Sequence, residues 1–273
     1  LLDFLFGEGA MKIAVIGCGA MGGALAKHLS AQHALSLCDS NAALRAQLAS
    51  QLAASECASL KDALREAEAV VLAVKPKDLA AVSREIAPEL TAQQMVISVL
   101  AGTSLETLRK HLPRASLLRI MPNLALTCNR GVIGLVQESP LAGDWAQRAE
   151  GLLQGLGYVF WLPEEKLEAL TSLAASGPAF ILIMIEALIE GGIAMGFTSQ
   201  DARELVLHTI EGTVALLRAS GAHPAAIKWQ IASPAGTTIA GMQEMEAAGV
   251  RAGIARALTA AYFQAKKMLL GGS

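Results

Sequence analysis

The sequence predicts an α/β N-terminal half built on a parallel sheet, followed by an all-helical C-terminal half. Three observations carry this expectation. From Met11 to about residue 162, short β-type runs alternate with helix-type runs, as a parallel sheet with helices on both faces requires. A glycine-rich loop, residues 17–22, directly follows the first β-type run. After Pro163 the β pattern disappears, and the breaks become helical punctuation at Gly177-Pro178, Gly196, 221–224, 233–236 and Gly249.

Each element has its own signal. Residues 12–16 are a short apolar strand ending in glycine, 20–31 have helical spacing, and 34–37 form a second strand. Residues 68–74 read as a strand apolar on both faces, as a covered parallel sheet demands, and 95–99 repeat that signature. Ser59 with Asp62, and Thr103 with Glu106, have the capping-box spacing that starts a helix. At least four helices are expected beyond residue 163. The run 179–195 is apolar almost all round, so it is expected to be buried on every side. A domain of about 110 residues can hardly bury it without a second copy. The expected division is therefore a leader or tag-like extension over 1–10, a sheet domain over 11–162, and a helical, self-associating domain over 163–273.

Composition narrows the function classes. Of 273 residues, 53% are apolar and 17% charged, against about 25% charged in an average soluble domain, which excludes disorder. A net charge of −2 supplies no field for gathering nucleic acid. Mean hydropathy is +0.45, yet the longest unbroken apolar run, 178–185, is interrupted soon after by Glu186 and Glu190. A spanning helix needs about 20 apolar residues, so no membrane segment is expected, and the surplus is assigned to a subunit interface. Cys18, Cys38, Cys57 and Cys128 have neither metal-ligand nor disulfide-framework spacing. They are read as reduced thiols of a cytoplasmic protein, with no metal site.

The loop Gly17-Cys18-Gly19-Ala20-Met21-Gly22 sits between strand and helix and fits the Rossmann dinucleotide fingerprint. The first glycine permits the tight turn, the second lets a pyrophosphate approach the backbone, and the third allows close packing of helix on strand. Free N–H groups at the helix start hold the phosphates. Asp39, with Ser40 after it, stands at the end of the second strand, where a carboxylate accepts hydrogen bonds from the adenosine ribose and repels a 2′-phosphate. This favours NADH, or at least opposes strict dependence on NADPH. In the helical half, Ser233-Pro234-Ala235-Gly236-Thr237-Thr238-Ile239 has two readings: an anion pocket suited to a substrate carboxylate, or an ordinary capped turn.

Several of these segments together resemble the pyrroline-5-carboxylate reductase family. They are 16–22, Ala73-Val74-Lys75-Pro76, Ser98-Val99-Leu100-Ala101-Gly102, Arg119-Ile120-Met121-Pro122-Asn123, Ser176-Gly177-Pro178-Ala179-Phe180, His223-Pro224 and, most specifically, 231–239. The resemblance implies a Rossmann domain followed by an all-α dimerisation domain of the 6-phosphogluconate dehydrogenase C-terminal type. It implies a homodimer that assembles further into a ring of dimers, a decamer. The implied reaction is NAD(P)H-dependent reduction of 1-pyrroline-5-carboxylate to L-proline, the last step of proline synthesis. By that resemblance Ala73, Val74, Lys75, Pro76, Leu100, Ala101 and Gly102 line the cofactor groove, and Asn123 lies where nicotinamide and substrate meet. Ser233, Gly236, Thr237 and Thr238 hold the substrate, with the proton source falling on Thr238.

The sequence departs from the family pattern at Leu124-Ala125, Ala174-Ala175 and Ala235, and at Gly221-Ala222 and Trp229. These departures keep open a reductase for a related cyclic imine, or a nucleotide-sensing relative without turnover. The β-hydroxyacid dehydrogenases share the two-part build but need a lysine base on the long helix. Residues 179–195 contain none.

Overall fold

The computed structural model describes residues 9–136 and 144–270; most of the expected extension over 1–10 lies outside them. The strands are β1 Lys12–Ile16, β2 Ala34–Cys38, β3 Ser55–Glu56, β4 Ala69–Leu72, β5 Met95–Ser98, β6 Ser116–Pro122, β7 Gly131–Val136 and β8 Gly157–Leu162. They form one sheet in the order β3-β2-β1-β4-β5-β6-β7-β8. The helices interleaved with them are α1 Ala20–Leu29, α2 Ala42–Leu52, α3 Leu60–Leu64, α4 Leu79–Ile86, α5 Leu105–His111 and α6 Trp145–Leu153. After β8 come α7 Leu167–Leu170, a π turn at Thr171–Ala175, α8 Gly177–Ala194, α9 Ser199–Ser220, α10 Pro224–Ile231, α11 Thr237–Ala247 and α12 Val250–Leu270.

The chain divides into two compact units. One runs through Ala175 and also takes the end of α12 from Tyr262 onward; the other is Ser176–Ala261. In the first unit, alternate residues of each strand feed opposite faces. Ile13 and Val15, Val71, Ile97 and Ile120 pack with Leu25, Leu29 and Trp145 on one face. Ala14 and Ile16, Val70 and Leu72, and Val96 pack with Leu64, Ile86 and Leu108 on the other. That is the period-two geometry of a sheet covered on both sides.

Two expectations for this half need correction. The sheet is parallel only through β6: β7 pairs antiparallel with β6, and β8 runs parallel to β7. The link from β6 to β7 is only a short 3₁₀ turn, Leu124–Cys128, and a parallel return needs a crossover of about a dozen residues or more. Of the two expected caps, Ser59 accepts the Asp62 N–H as foreseen, but Thr103 is buried and Ser104 caps α5 by accepting the Thr107 N–H.

Arg119, in mid-β6, is fully buried. It donates to Glu164 Oε1 at 2.7 Å and Glu168 Oε1 at 3.2 Å, while its Nε has no partner among the described residues. Glu164 Oε1 also accepts the N–H of Leu105 at 2.8 Å, so one buried cation ties β6, the start of α5 and the segment leading into α7.

The second unit is different. On α8 only Gly177 and Gly192 are buried, and Ile181, Leu182, Ile183 and Leu188 are exposed. Burial on every side, as expected from 179–195, is thus not reached within one chain, because its neighbours cover one flank only. The covered spot is where α8 meets α9: a Cβ on Gly192 would lie 3.0 Å from Cβ of the buried Ala202. The expectation that no stretch is long and apolar enough to cross a membrane also fails. Glu164–Ala194 is helical and passes by length and composition, with hydropathy 1.9. A run broken by two glutamates still averages as strongly apolar over a full window.

Candidate active site

The glycine loop can be judged residue by residue. Gly17 has φ +97°, and a Cβ there would stand 2.5 Å from the Ala73 carbonyl oxygen. A Cβ on Gly22 would overlap the Gly17 carbonyl oxygen, whereas one on Gly19 would meet nothing within 4 Å. The first and third glycines therefore serve close packing of β1, α1 and the end of β4, and the second faces open space where a phosphate can approach. Gly19 is the N-cap of α1 and contributes no side-chain bond, so the first-turn N–H groups of Ala20 and Met21 remain for an anion.

The loop opens at the switch point of the sheet. From β1 the chain runs outward through β2 and β3, then crosses to β4 on the other side of β1, and ligands bind at such a reversal, at the carboxyl ends of the strands. A cleft of about 690 Å³ lies there, lined by Gly17, Gly19, Asp39, Ser40, Ala73, Val74 and Lys75 among others. A second cleft, about 530 Å³, takes Pro76, Ala101 and Gly102, with His111 and Lys267. Of the residues expected for the cofactor, ten therefore line one cleft or the other, while Cys18, Ala20, Met21, Gly22, Leu100 and Asn123 line neither. The side chain of Leu100 is buried.

Asp39 serves the loop itself. Its Oδ2 accepts the Cys18 N–H at 2.6 Å and its Oδ1 the Asn41 N–H at 2.7 Å. A carboxylate has about four lone-pair positions, so these two bonds leave Asp39 with further acceptor capacity. Cys18 contributes a backbone N–H and a packed thiol. Burial, the Asp39 charge and Cys38 push that thiol up to about 11, so it stays protonated and inert near neutral pH.

Asn123 is buried and lines neither cleft. Its Nδ2 donates to the Ala174 carbonyl at 2.8 Å and its Oδ1 accepts the Val132 N–H at 3.0 Å. The amide is a strut between the end of β6, the start of β7 and the π turn. The departure at Ala174 meets this strut through its backbone carbonyl, so the changed side chain leaves the bond intact.

In the second unit, Ser233, Gly236, Thr237 and Thr238 come together at the start of α11. Gly236 is the N-cap, without a side-chain cap bond, and its N–H donates to the Ser233 carbonyl at 3.0 Å. A Cβ on Gly236 would collide with Ser233 Oγ, so a larger residue there would have to turn that hydroxyl aside. Ala235 adopts φ +58°, a left-handed conformation costly for a residue with a Cβ. Thr238 is half-buried and Ser233 and Thr237 exposed. His223 caps α10 by accepting the Ala225 N–H. Sequence reasoning missed Ala58, Ser59 and Leu60 as lining of the larger cleft, although the cap signal at Ser59 pointed to a turn at that strand end. It also missed that the Arg45 guanidinium reaches the carbonyl of Asp39.

Fold and cleft define a dinucleotide-binding protein of the Rossmann type, and the family profiles make it an oxidoreductase with a nicotinamide cofactor. A family profile described as NADP oxidoreductase, coenzyme F420-dependent, matches residues 12–102, and one described as pyrroline-5-carboxylate reductase dimerisation matches 164–268. The Synechocystis pyrroline-5-carboxylate reductase is 36% identical over 76% of this chain and 78% of its own length. The Pseudomonas aeruginosa enzyme of that name is 32% identical over 92% and 94%. The crystal structure of the Streptococcus pyogenes reductase superposes with a TM-score of 0.84 at 32% identity, covering 94% of this chain and 99% of that one. The chain belongs to the pyrroline-5-carboxylate reductase family.

Proposed function

We propose that this protein reduces 1-pyrroline-5-carboxylate to L-proline with NAD(P)H. The observation that carries the reading is that one chain joins a glycine-gated cleft to the 233–238 turn, each within a segment matching the corresponding family profile. The nicotinamide supplies the hydride. Everything else falls to the chain. The N–H groups of Ala20 and Met21 hold the pyrophosphate, and the remaining lone pairs of Asp39 take the ribose, which favours NADH. Ser233, Thr237 and the free N–H groups at the start of α11 hold the substrate carboxylate. A protonated cyclic imine is already a good hydride acceptor, so alignment is the main task, and alignment can be worth about 7–11 kcal/mol. The Thr238 hydroxyl is a poor general acid near neutral pH; it hydrogen-bonds the ring nitrogen while water completes the proton relay. Asn123 acts indirectly, by holding the β6 end and the π turn in register.

The exposed apolar face of α8 supports a homodimer in which a partner subunit, not lipid, covers the 164–194 stretch; a ring of such dimers is the further assembly we propose. The cysteines are unpaired, which supports a reducing compartment, the cytoplasm. The test is consumption of NADH and NADPH with 1-pyrroline-5-carboxylate, with proline measured as product. Equimolar proline is expected. Tight cofactor binding with no turnover would overturn the reading in favour of a nucleotide sensor, and turnover only with another cyclic imine would overturn the substrate.

A further inference from the structure

Behind Asp39, a residue that lines the larger cleft, stands an arginine whose charge is already neutralised. Arg45, on α2, donates from Nη1 to the backbone carbonyl of Asp39 at 2.8 Å. Its Nε and Nη2 both point to Glu56 Oε1, at 3.0 and 2.9 Å. Glu56 ends the edge strand β3, whose pairing with β2 sets it beside Leu37. The Arg45 side chain is only 12% exposed, so it is held in place. Asp39, Arg45 and Glu56 together carry one net negative charge at the strand end where an adenosine ribose would lie. The lysines that line this cleft, Lys75 and Lys77, follow β4, two strands away from β2.

Dinucleotide sites that accept a 2′-phosphate place an arginine near this strand end, and those that reject it place a carboxylate. This chain has both. We propose that Glu56 is a specificity-determining residue: by pairing with Arg45 it denies that guanidinium to a 2′-phosphate, so rejection depends on the Arg45–Glu56 pair as well as on Asp39. The proposal rests on the reading of the larger cleft as the adenosine site.

The test is calorimetric binding of 5′-AMP and 2′,5′-ADP to the intact protein. Glu56→Gln keeps an oxygen that accepts from Arg45 but removes the negative charge. It is expected to tighten 2′,5′-ADP about tenfold, as roughly 1.4 kcal/mol of relieved repulsion would give, and to leave 5′-AMP unchanged. Adding Arg45→Met to that variant should abolish the gain. Equal changes for both ligands, no change for either, or a gain that survives loss of Arg45 would each overturn the inference while leaving the adenosine site standing. Failure of the unaltered protein to bind 5′-AMP would overturn the cleft reading itself, and this inference with it.

Discussion

The two units of this chain handle apolar surface in opposite ways. In the sheet-bearing unit, β1, β4 and β5 are buried almost end to end and helices close over both faces. In the helical unit, α11 has no buried residue and α8 has two, both glycines, while Leu182 and Ile183 are 62% and 64% exposed. The same apolar richness gives a self-contained core in one place and an open face in the other. The reason is geometric. A sheet offers two faces to its own crossover helices, whereas a long helix apolar all round needs neighbours on every side. The dimerisation profile falls on the open unit.

This contrast can be broken from the closed side first. Arg119→Ala leaves Glu168 buried without its cation and is expected to cost about 3–5 kcal/mol, seen as a lower urea midpoint for the sheet half; a loss below about 1 kcal/mol would show that the clamp carries no stability. The open side sharpens it. Leu182→Glu puts a charge where a partner would seat, and it should cost about 3 kcal/mol of association. Sedimentation equilibrium would register that as well over a tenfold rise in the dimer dissociation constant, with thermal unfolding of the sheet half little changed. An unaltered association constant would remove α8 from the interface. The smallest effect is expected at Ala235→Gly, which relieves a left-handed alanine and should add about 1 kcal/mol to stability. A lower melting temperature for that variant would mean the turn is not strained.

What the sequence revealed was local. The strand, glycine loop and helix from Lys12 to Leu29 follow one another without interruption, with close packing around Gly17 and Gly22 and open space beside Gly19. The cap at Ser59 was legible for the same reason. Long-range features were not. Arg119 looks like a stray charge in an apolar strand until Glu164 and Glu168, one helical turn apart, are folded against it. Reversal at β7 depends on how short the 3₁₀ link is, and nothing in the apolar pattern of 131–136 encodes direction. Asp39 was recognised as a carboxylate at a strand end, but its grip on the Cys18 and Asn41 N–H groups appears only in three dimensions. Ala235 stood out as a lost glycine, and the structure adds that the backbone there is left-handed, a conformation that glycine adopts without strain.

The last helix, α12, begins in one unit and from Tyr262 belongs to the other, where Met268 packs within 3.3 Å of the position a Cβ would take on Gly102. Neither unit can therefore be excised with a single cut. A fragment ending at residue 175 would leave that side of Gly102 bare, and an isolated helical piece would carry a stub cut mid-helix. Recombining halves from different relatives would need two junctions, with the second placed inside a continuous rod.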